Sequence, residues 1–298
     1  MDFQLSDDQR ALRRGLRDVL EGRFGRDVLR AAVEEPRLDR KPWRALGDAG
    51  FFALCLPEEA GGVGLGLPEA VLAFEEAGRV LLPGPAVATF LAAGEVAGAA
   101  EGKVVVTAVE GPFVPWLDEA DVVRGDAAGA VAVRSVDPLT PLHRVRERGP
   151  GDEAPDPRDP RDPRNPRALL LTAAEQLGSA ARTAELAVQH ARQREQFGGP
   201  VGRFQAVQHL CADMLVRAEL ARVAVYAAAV TGDPLEAVGA RLLADDAAVR
   251  NARDCLQAHG GMGFTWESDV HLHLKRAWVR AELGGGAARA EEALAAAL

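Results

Sequence analysis

Cysteine is scarce in this chain of 298 residues. The three present, Cys55, Cys211 and Cys255, lack the paired spacing of a metal or redox motif. They fall in apolar stretches read as helical, and the expectation is reduced core thiols in a cytoplasmic protein. No apolar run is long enough to span a bilayer. The opening residues, Met1-Asp-Phe-Gln-Leu5, hold neither the basic start nor the apolar run of a secretion signal. Basic charge is short as well. Lys and Arg number 35 against 44 Asp and Glu, a net charge of −9, which argues against general affinity for nucleic acid. An anionic ligand is still compatible, because local basic groups decide that. G-x-S-x-G and H-E-x-x-H are missing, which removes the serine-hydrolase elbow and the zinc-protease helix. His271 and His273 stand two apart on one helix and face different directions. They cannot chelate one ion together, no metal site is expected, and both are expected at partly exposed positions.

What is there reads as a globular chain, 48% hydrophobic and 27% charged. Its length suits one large or two ordinary domains. Residues 1–100 are expected to form a helical domain. Within 6–24, Leu12, Leu16, Val19, Leu20 and Phe24 recur at helical spacing, with Ser6 as N-cap and Asp7 and Asp8 in the first turn. Further helices are expected at 42–50, at 68–81 with proline in its first turn, and at 85–97. Between them Leu56-Pro-Glu-Glu-Ala-Gly61-Gly62-Val-Gly64-Leu-Gly66 makes a glycine-rich loop. It lacks the Lys and Ser/Thr of a phosphate loop and reads as structure. Residues 101–148 change character. Four short β-rich runs fit there, at 104–109, 121–123, 130–133 and 142–145. Four strands cannot close a barrel, and their edge needs cover. In 149–166, proline recurs every third residue from Pro157, which excludes both helix and ladder and predicts an extended linker. Residues 167–298 are expected to be a helical bundle, with helices at 167–195, 203–231, 234–259, 265–280 and 286–298. The fold class is mainly α, with a reduced β region between an N-terminal helical domain and a C-terminal four-helix-type bundle.

Two stretches of that bundle carry chemistry. One is Arg194-Glu-Gln196-Phe197-Gly198, where a long helix gives way to a turn. The other is Gln257-Ala-His259-Gly260-Gly261-Met-Gly263, a helix end followed by glycines. An arginine offers a planar fork of donors suited to a diphosphate. Glycines let the backbone approach a ligand closely. In this order, separated by two long helical stretches, the pair resembles the motifs of the acyl-CoA dehydrogenase family. The loop Pro57-Glu-Glu-Ala-Gly-Gly62 resembles the family's loop at the same place. The resemblance covers most of the chain. It implies that Arg194, Gln196, Phe197, Gln257, Gly260, Gly261 and Gly263 contact the adenosine diphosphate part of FAD, largely across a subunit interface, with His259 lining the pocket.

The chain departs from the family in two places. The T-x-P-x-x-G-S-D-like stretch that holds the flavin ring has no match. Phe113-Val-Pro-Trp116 occupies the place of the family's W-I-T-like stretch, and proline cannot supply the backbone donor expected there. The family removes a proton from the acyl α-carbon with a carboxylate, and its two alternative base positions fall near Gly284 and Ala168 here. Glu282 and Glu175 are the nearest shifted candidates. The resemblance therefore implies a short subunit of a heteromeric acyl-CoA dehydrogenase, like those of bacterial steroid degradation. Such a subunit shares FAD with a full-length homologue during α,β-desaturation of an acyl-CoA. Electron-transfer flavoprotein is a further expected partner. Two alternatives stay open, a non-catalytic assembly protein on the same fold and a homo-oligomer with altered acyl-thioester chemistry.

Overall fold

A computed structural model describes residues 4–145, 165–283 and 286–297. The expected linker at 149–166, apart from its last two residues, and Gly284 lie outside the described residues.

The N-terminal part contains α1 (Asp7–Arg23), α2 (Arg26–Glu34), α3 (Arg40–Asp48), α4 (Leu67–Arg79) and α5 (Ala86–Ala92). Ser6 caps α1 as anticipated. Its hydroxyl accepts from Gln9 N, and the Gln9 side chain accepts from Ser6 N, a reciprocal capping box. The sequence reading passed over α2. Its apolar residues Leu29, Ala32 and Val33 pack on Leu81, Leu139 and Leu272, so what stabilises it lies far away in sequence. Helix α5 is shorter than the expected 85–97, since turns follow Ala92. A row of rings, Trp43, Phe52, Phe51, Phe74 and Phe90, fills the centre with centroid spacings of 4.8 to 5.3 Å. The loop at 57–62 is structural. A Cβ at Gly62 would stand 2.1 Å from Leu56 O.

The middle region holds five strands among the described residues. They are β1 (Val106–Ala108), β2 (Phe113–Pro115), β3 (Val122–Arg124), β4 (Val131–Val133) and β5 (Leu142–Arg144). The expectation of four missed β2, because Pro115 masks it. Pro115 lies on an edge strand of its sheet, where a missing N–H is tolerated. The strands form two sheets rather than one. β1 pairs in parallel with β3, and β5 lies between β2 and β4, antiparallel to both. Phe113, Val133 and Leu142 of the second sheet pack on Val279 and Leu283.

The C-terminal part contains α6 (Pro166–Gln193), a small hairpin of β6 (Glu195–Gln196) and β7 (Gly199–Pro200), then α7 (Gln205–Thr231), α8 (Pro234–His259), α9 (Val270–Glu282) and α10 (Gly286–Ala295). Asp233 starts α8 by accepting from Leu235 N and Glu236 N. Helices α6 and α8 run parallel and in step. Gln176 donates to Asp245 at 2.8 Å, Asn251 donates to Ala180 O at 3.1 Å, and the rings of His190 and His259 meet at 4.0 Å. Asn251 also donates to Met214 O at 2.8 Å, which ties in α7. Helix α9 begins at Val270 rather than near 265. The stretch before it is held instead by α2, where Arg26 pairs with Asp269 and donates to Glu267 O, and Arg30 donates to Trp266 O. No helix among the described residues is long and apolar enough to cross a membrane.

One hydrophobic core runs from Leu16 on α1 to Ala277 on α9. Its closest approach is the crossing of α4 and α6. A Cβ at Gly78 would stand 1.9 Å from Glu175 O, and a Cβ at Gly178 would stand 1.9 Å from Glu75 O. Each glycine lets the other helix's backbone in. Gly78→Ala is therefore expected to push the helices apart and lower stability by at least about 3 kcal/mol, at the large end of single-residue effects. Gly239→Ala, on α8 where an added Cβ meets nothing within 4 Å, should raise stability by about 0.5 kcal/mol or more. Thermal melts of both variants test this. Equal melting temperatures would refute the crossing as the tight point.

Candidate cofactor site

Helix α6 stops at Gln193, and Arg194 turns to extended backbone at φ −77° and ψ 119°. The chain reverses over Phe197 and Gly198, both left-handed at φ 54° and 83°. Two positive φ values in a two-residue hairpin match the twist of its strands. Glycine adopts that conformation freely, whereas phenylalanine is strained by about 1–2 kcal/mol. Arg203 steadies the turn by donating to Phe197 O and, at 3.3 Å, to Gly198 O. The Arg203 guanidinium also lies 5.1 Å from the centre of the Phe204 ring. Phe197 remains 83% exposed, with its edge to Phe204 at 6.0 Å. Arg194 and Gln196 are exposed as well. The Arg194 guanidinium forms no ion pair among the described residues.

The second motif arrives at the same end of the bundle. Gln257 is exposed on the last turn of α8. Gly260 takes φ 60° and ψ −143°, open only to glycine, and Gly260–Phe264 wind into a short 3-10 turn. A Cβ at Gly260 or Gly261 would meet nothing within 4 Å, so the backbone there is bare. At Gly263 a Cβ would stand 2.9 Å from Leu256 O and 3.1 Å from the Cβ of His259. That glycine serves packing. His259 donates from Nδ1 to Cys255 O at 2.8 Å, and its ring stacks on His190, which joins the two motifs. A guanidinium with no ion pair among the described residues, bare backbone and exposed apolar side chains (Met262, Phe264 and Trp266 as well as Phe197) make a surface that fits an anionic adenosine diphosphate group.

The positions considered for a catalytic carboxylate lie elsewhere. Ala168 is buried at the start of α6. Glu175 is buried and paired with Arg280 at 2.8 Å. At about 1.5 Å per helical residue, its 19-residue separation from Arg194 amounts to about 28 Å. Burial raises the Glu175 carboxyl above its ordinary range, against the lowering effect of Arg280, and burial brings Arg280 down to about 10. Beside them Arg241 bonds Asp245 at 2.7 Å, Arg280 O, and Leu283 O at 3.3 Å. Glu110, half-buried in the turn before β2, is pushed up to about 7 by burial, with Arg241, Glu175 and Arg280 acting on it. Glu282 is exposed on α9. Trp116, in the Phe113–Trp116 stretch, is turned into the main core and 3% exposed. A cavity of about 190 Å³ opens between α6, α8, α9 and α10, walled by Leu169, Val238, Leu242, Leu283 and Ala290, with Arg241 at its side.

Two expectations need correction. His271 and His273 are 8% and 5% exposed, not partly exposed. Helix α9 packs deep enough to bury both of its adjacent faces. His273 Nδ1 lies 2.8 Å from Ser179 Oγ, and burial holds its pKa down to about 3. No metal-binding group of three occurs among the described residues. Of the thiols, only Cys255 is fully buried. Cys55 lies in a turn rather than a helix, and Cys211 is half-buried. The sequence reading missed His190, Arg203 and Glu110. For His190 a signal existed, since a residue four before Arg194 shares its helical face.

The family model for the acyl-CoA dehydrogenase N-terminal domain matches residues 6–101, and that for the C-terminal domain matches 168–298. The acyl-CoA dehydrogenase IpdE2 of Mycobacterium tuberculosis is 34% identical over 300 residues, 93% of each chain. The chain belongs to the acyl-CoA dehydrogenase family. This is an oxidoreductase family whose members bind FAD. The acyl-CoA dehydrogenase FadE34 of the same organism is 34% identical over 84% of this chain, but the match covers only 41% of FadE34. Among solved structures, the ChsE4-ChsE5 complex of M. tuberculosis superposes with a TM-score of 0.82 at 22% identity, over 99% of this chain and 98% of that one. The two family matches leave 102–167 between them, the stretch that holds β1 to β5.

The pairing of Glu175 has a consequence for mutants. Glu175→Gln would strand Arg280 as an uncompensated buried charge, at a cost of about 3–5 kcal/mol. Glu282→Gln, at an exposed site, should stay within about 0.5 kcal/mol of the parent. Chemical denaturation of both variants decides it. A Glu175→Gln protein as stable as the parent would return Glu175 to the list of catalytic candidates.

Proposed function

We propose that this chain is one subunit of a heteromeric FAD-dependent acyl-CoA dehydrogenase. In this reading it anchors the adenosine diphosphate part of FAD for a full-length partner and lacks a catalytic base of its own. The observation that carries it is the split between the two ends of the bundle. At one end Arg194, with no ion pair among the described residues, and the glycine turn stand open. At the other, Glu175, the candidate on the side of Ala168, is locked to Arg280, while Glu282 lies exposed on α9. A helix about 28 Å long separates Glu175 from Arg194, which favours a cofactor shared with a second chain over one used within this chain.

Arg194 would bind the diphosphate oxygens through its fork, supported by Gln196 and Gln257. Gly260, Gly261 and Gly263 would bring backbone amides close, with His259 beneath them. Phe197 would offer its exposed face to the adenosine side. FAD, when bound, supplies the hydride acceptor for oxidation of the acyl chain. The residues of this chain would hold and orient it.

Helix α7 supports a partner. Val216, Leu220, Val223 and Val230 recur on one side of it and are 55 to 63% exposed, an apolar stripe of the kind a lone soluble chain seldom leaves open. FadE34, of which this chain matches about two-fifths, has length to spare for a second unit of the same kind. The ChsE4-ChsE5 structure is a complex of two proteins. A purely structural assembly protein would have no use for an exposed Arg194 that forms no ion pair among the described residues.

Two measurements test the proposal. Expressed alone, the chain should purify colourless; a yellow protein with one flavin per chain would sink the idea. Co-expressed with a full-length homologue encoded nearby, it should yield a flavin-bearing complex that oxidises acyl-CoA thioesters with an artificial electron acceptor. In that complex Arg194→Ala should weaken FAD binding by roughly one to two decades, because a charge-assisted bond contributes about 1.5–3 kcal/mol. An unchanged FAD dissociation constant with the fold intact would refute the role of Arg194.

A further inference from the structure

His190 belongs to neither motif, yet it touches both. It stands four residues before Arg194, so the two side chains leave the same face of α6. Its ring lies 4.0 Å from that of His259, inclined by 29°. His259 is fixed in turn, because Nδ1 donates to Cys255 O and its Cβ packs under Gly263. The stack therefore sits between the guanidinium and the glycine turn.

The surroundings of His190 disfavour a charge on it in the free chain. Partial burial holds its pKa below the ordinary value, and His259 and Arg194 push in the same direction. Below the stack, Cys255 on α8 and Cys211 on α7 share one apolar cluster. Burial raises both thiols, so neither is charged near neutral pH. No carboxylate of the described residues bonds either ring.

Resting on the reading of this end of the bundle as the diphosphate site, we infer that His190 is a proton-linked positioning residue. It gains a proton as a diphosphate seats on Arg194, and the resulting imidazolium adds its charge to the anchor while holding His259 beneath the glycine turn. The reason is electrostatic. An anion that neutralises Arg194 removes one of the charges that discourage protonation, and adds a nearby negative charge that favours it. Binding and protonation then assist each other, and FAD binds more tightly as pH falls.

The test is FAD affinity against pH. Apo-complex of this chain with its flavin-holding partner is titrated with FAD from pH 8 to 5.5, followed by flavin fluorescence. The dissociation constant should fall several-fold across that range, towards a limit of about tenfold, if the imidazole rises by about one unit on binding. His190→Phe keeps a ring against His259 but carries no proton. It should hold the affinity seen at pH 8 and flatten the profile, and His190→Gln serves if the phenylalanine variant fails to fold. A flat parental profile, or variants that keep the parental slope, would overturn the inference. Arg194→Ala separates the two levels. If it weakens FAD while the His190 variants leave the slope alone, only the proton link fails. If it leaves FAD affinity unchanged, the diphosphate reading itself is wrong.

Discussion

Arg276 stands where three parts of the chain meet. Its guanidinium is 2% exposed and donates in three directions, to the Asp137 carboxylate, to Leu82 O at 3.1 Å and to Leu139 O at 2.9 Å. Leu82 follows α4, Asp137 and Leu139 belong to the loop before β5, and Arg276 itself is on α9. Asp137, fully buried, also accepts from Thr140 Oγ1 at 2.6 Å and Leu139 N at 3.0 Å. A buried charge that loses its partner destabilises by about 3–5 kcal/mol. The arginine thus makes each part depend on the other two. It also gives the short β region a reason to persist, because the loop that neutralises Arg276 lies inside the stretch between the two family matches.

The same helix extends that logic. One turn beyond Arg276, Arg280 meets Glu175, and Arg241 bridges from α8 to the carbonyls at the end of α9. Buried charges in this region answer one another. Groups so engaged have little left to offer a substrate, since releasing any one of them exposes its partner to the full cost of an unpaired buried ion. At the far end of α6 and α8 the balance reverses. Arg194 has no ion pair among the described residues, the backbone at Gly260 and Gly261 is bare, and Phe197 is held in a strained left-handed conformation with its ring in solvent. Strain and exposure together at one turn mark a place shaped for something outside the chain.

Local signals in the sequence were readable where local physics decides. Ser6 and Asp233 announced helix starts because their side chains cap amides two or three residues away. The long helices of the bundle were legible from repeating apolar faces. The two candidate motifs stood out because an arginine at a helix end and a run of glycines serve close contact regardless of the rest, and the fold brings them to one end of the bundle. What failed to show was decided at long range. Helix α2 is stabilised by Leu81, Leu139 and Leu272, and β2 is paired by Leu142 to Arg144. The depth of α9, which buries His271 and His273, depends on α6 and on the clamp from Arg26 and Arg30. The raised pKa of Glu110 comes first from burial, once a turn from the β region is laid against the bundle, with Glu175 adding to it and Arg241 and Arg280 opposing it. None of these is visible in a window of ten residues.

The split between the two ends also bears on how the proposed division of a cofactor site would work. Anchoring a diphosphate needs a few donors near one surface, and its strength is local and electrostatic. Holding a reactive ring against a carbon and a base demands several elements placed together to within fractions of an ångström. On the proposed reading, a short β region would lack the second capability and keep the first, since Arg194 and Gly260 stand at the ends of α6 and α8. The parallel register of those helices, fixed at 176 with 245, 180 with 251 and 190 with 259, is rigid over most of their length. An anchor carried at the end of such a pair keeps its geometry whatever happens to the strands. On the proposed reading, that separability would let an anchoring role persist without a ring pocket. The stacked histidines, which join the ends of the two helices, would then be the place where binding is tuned.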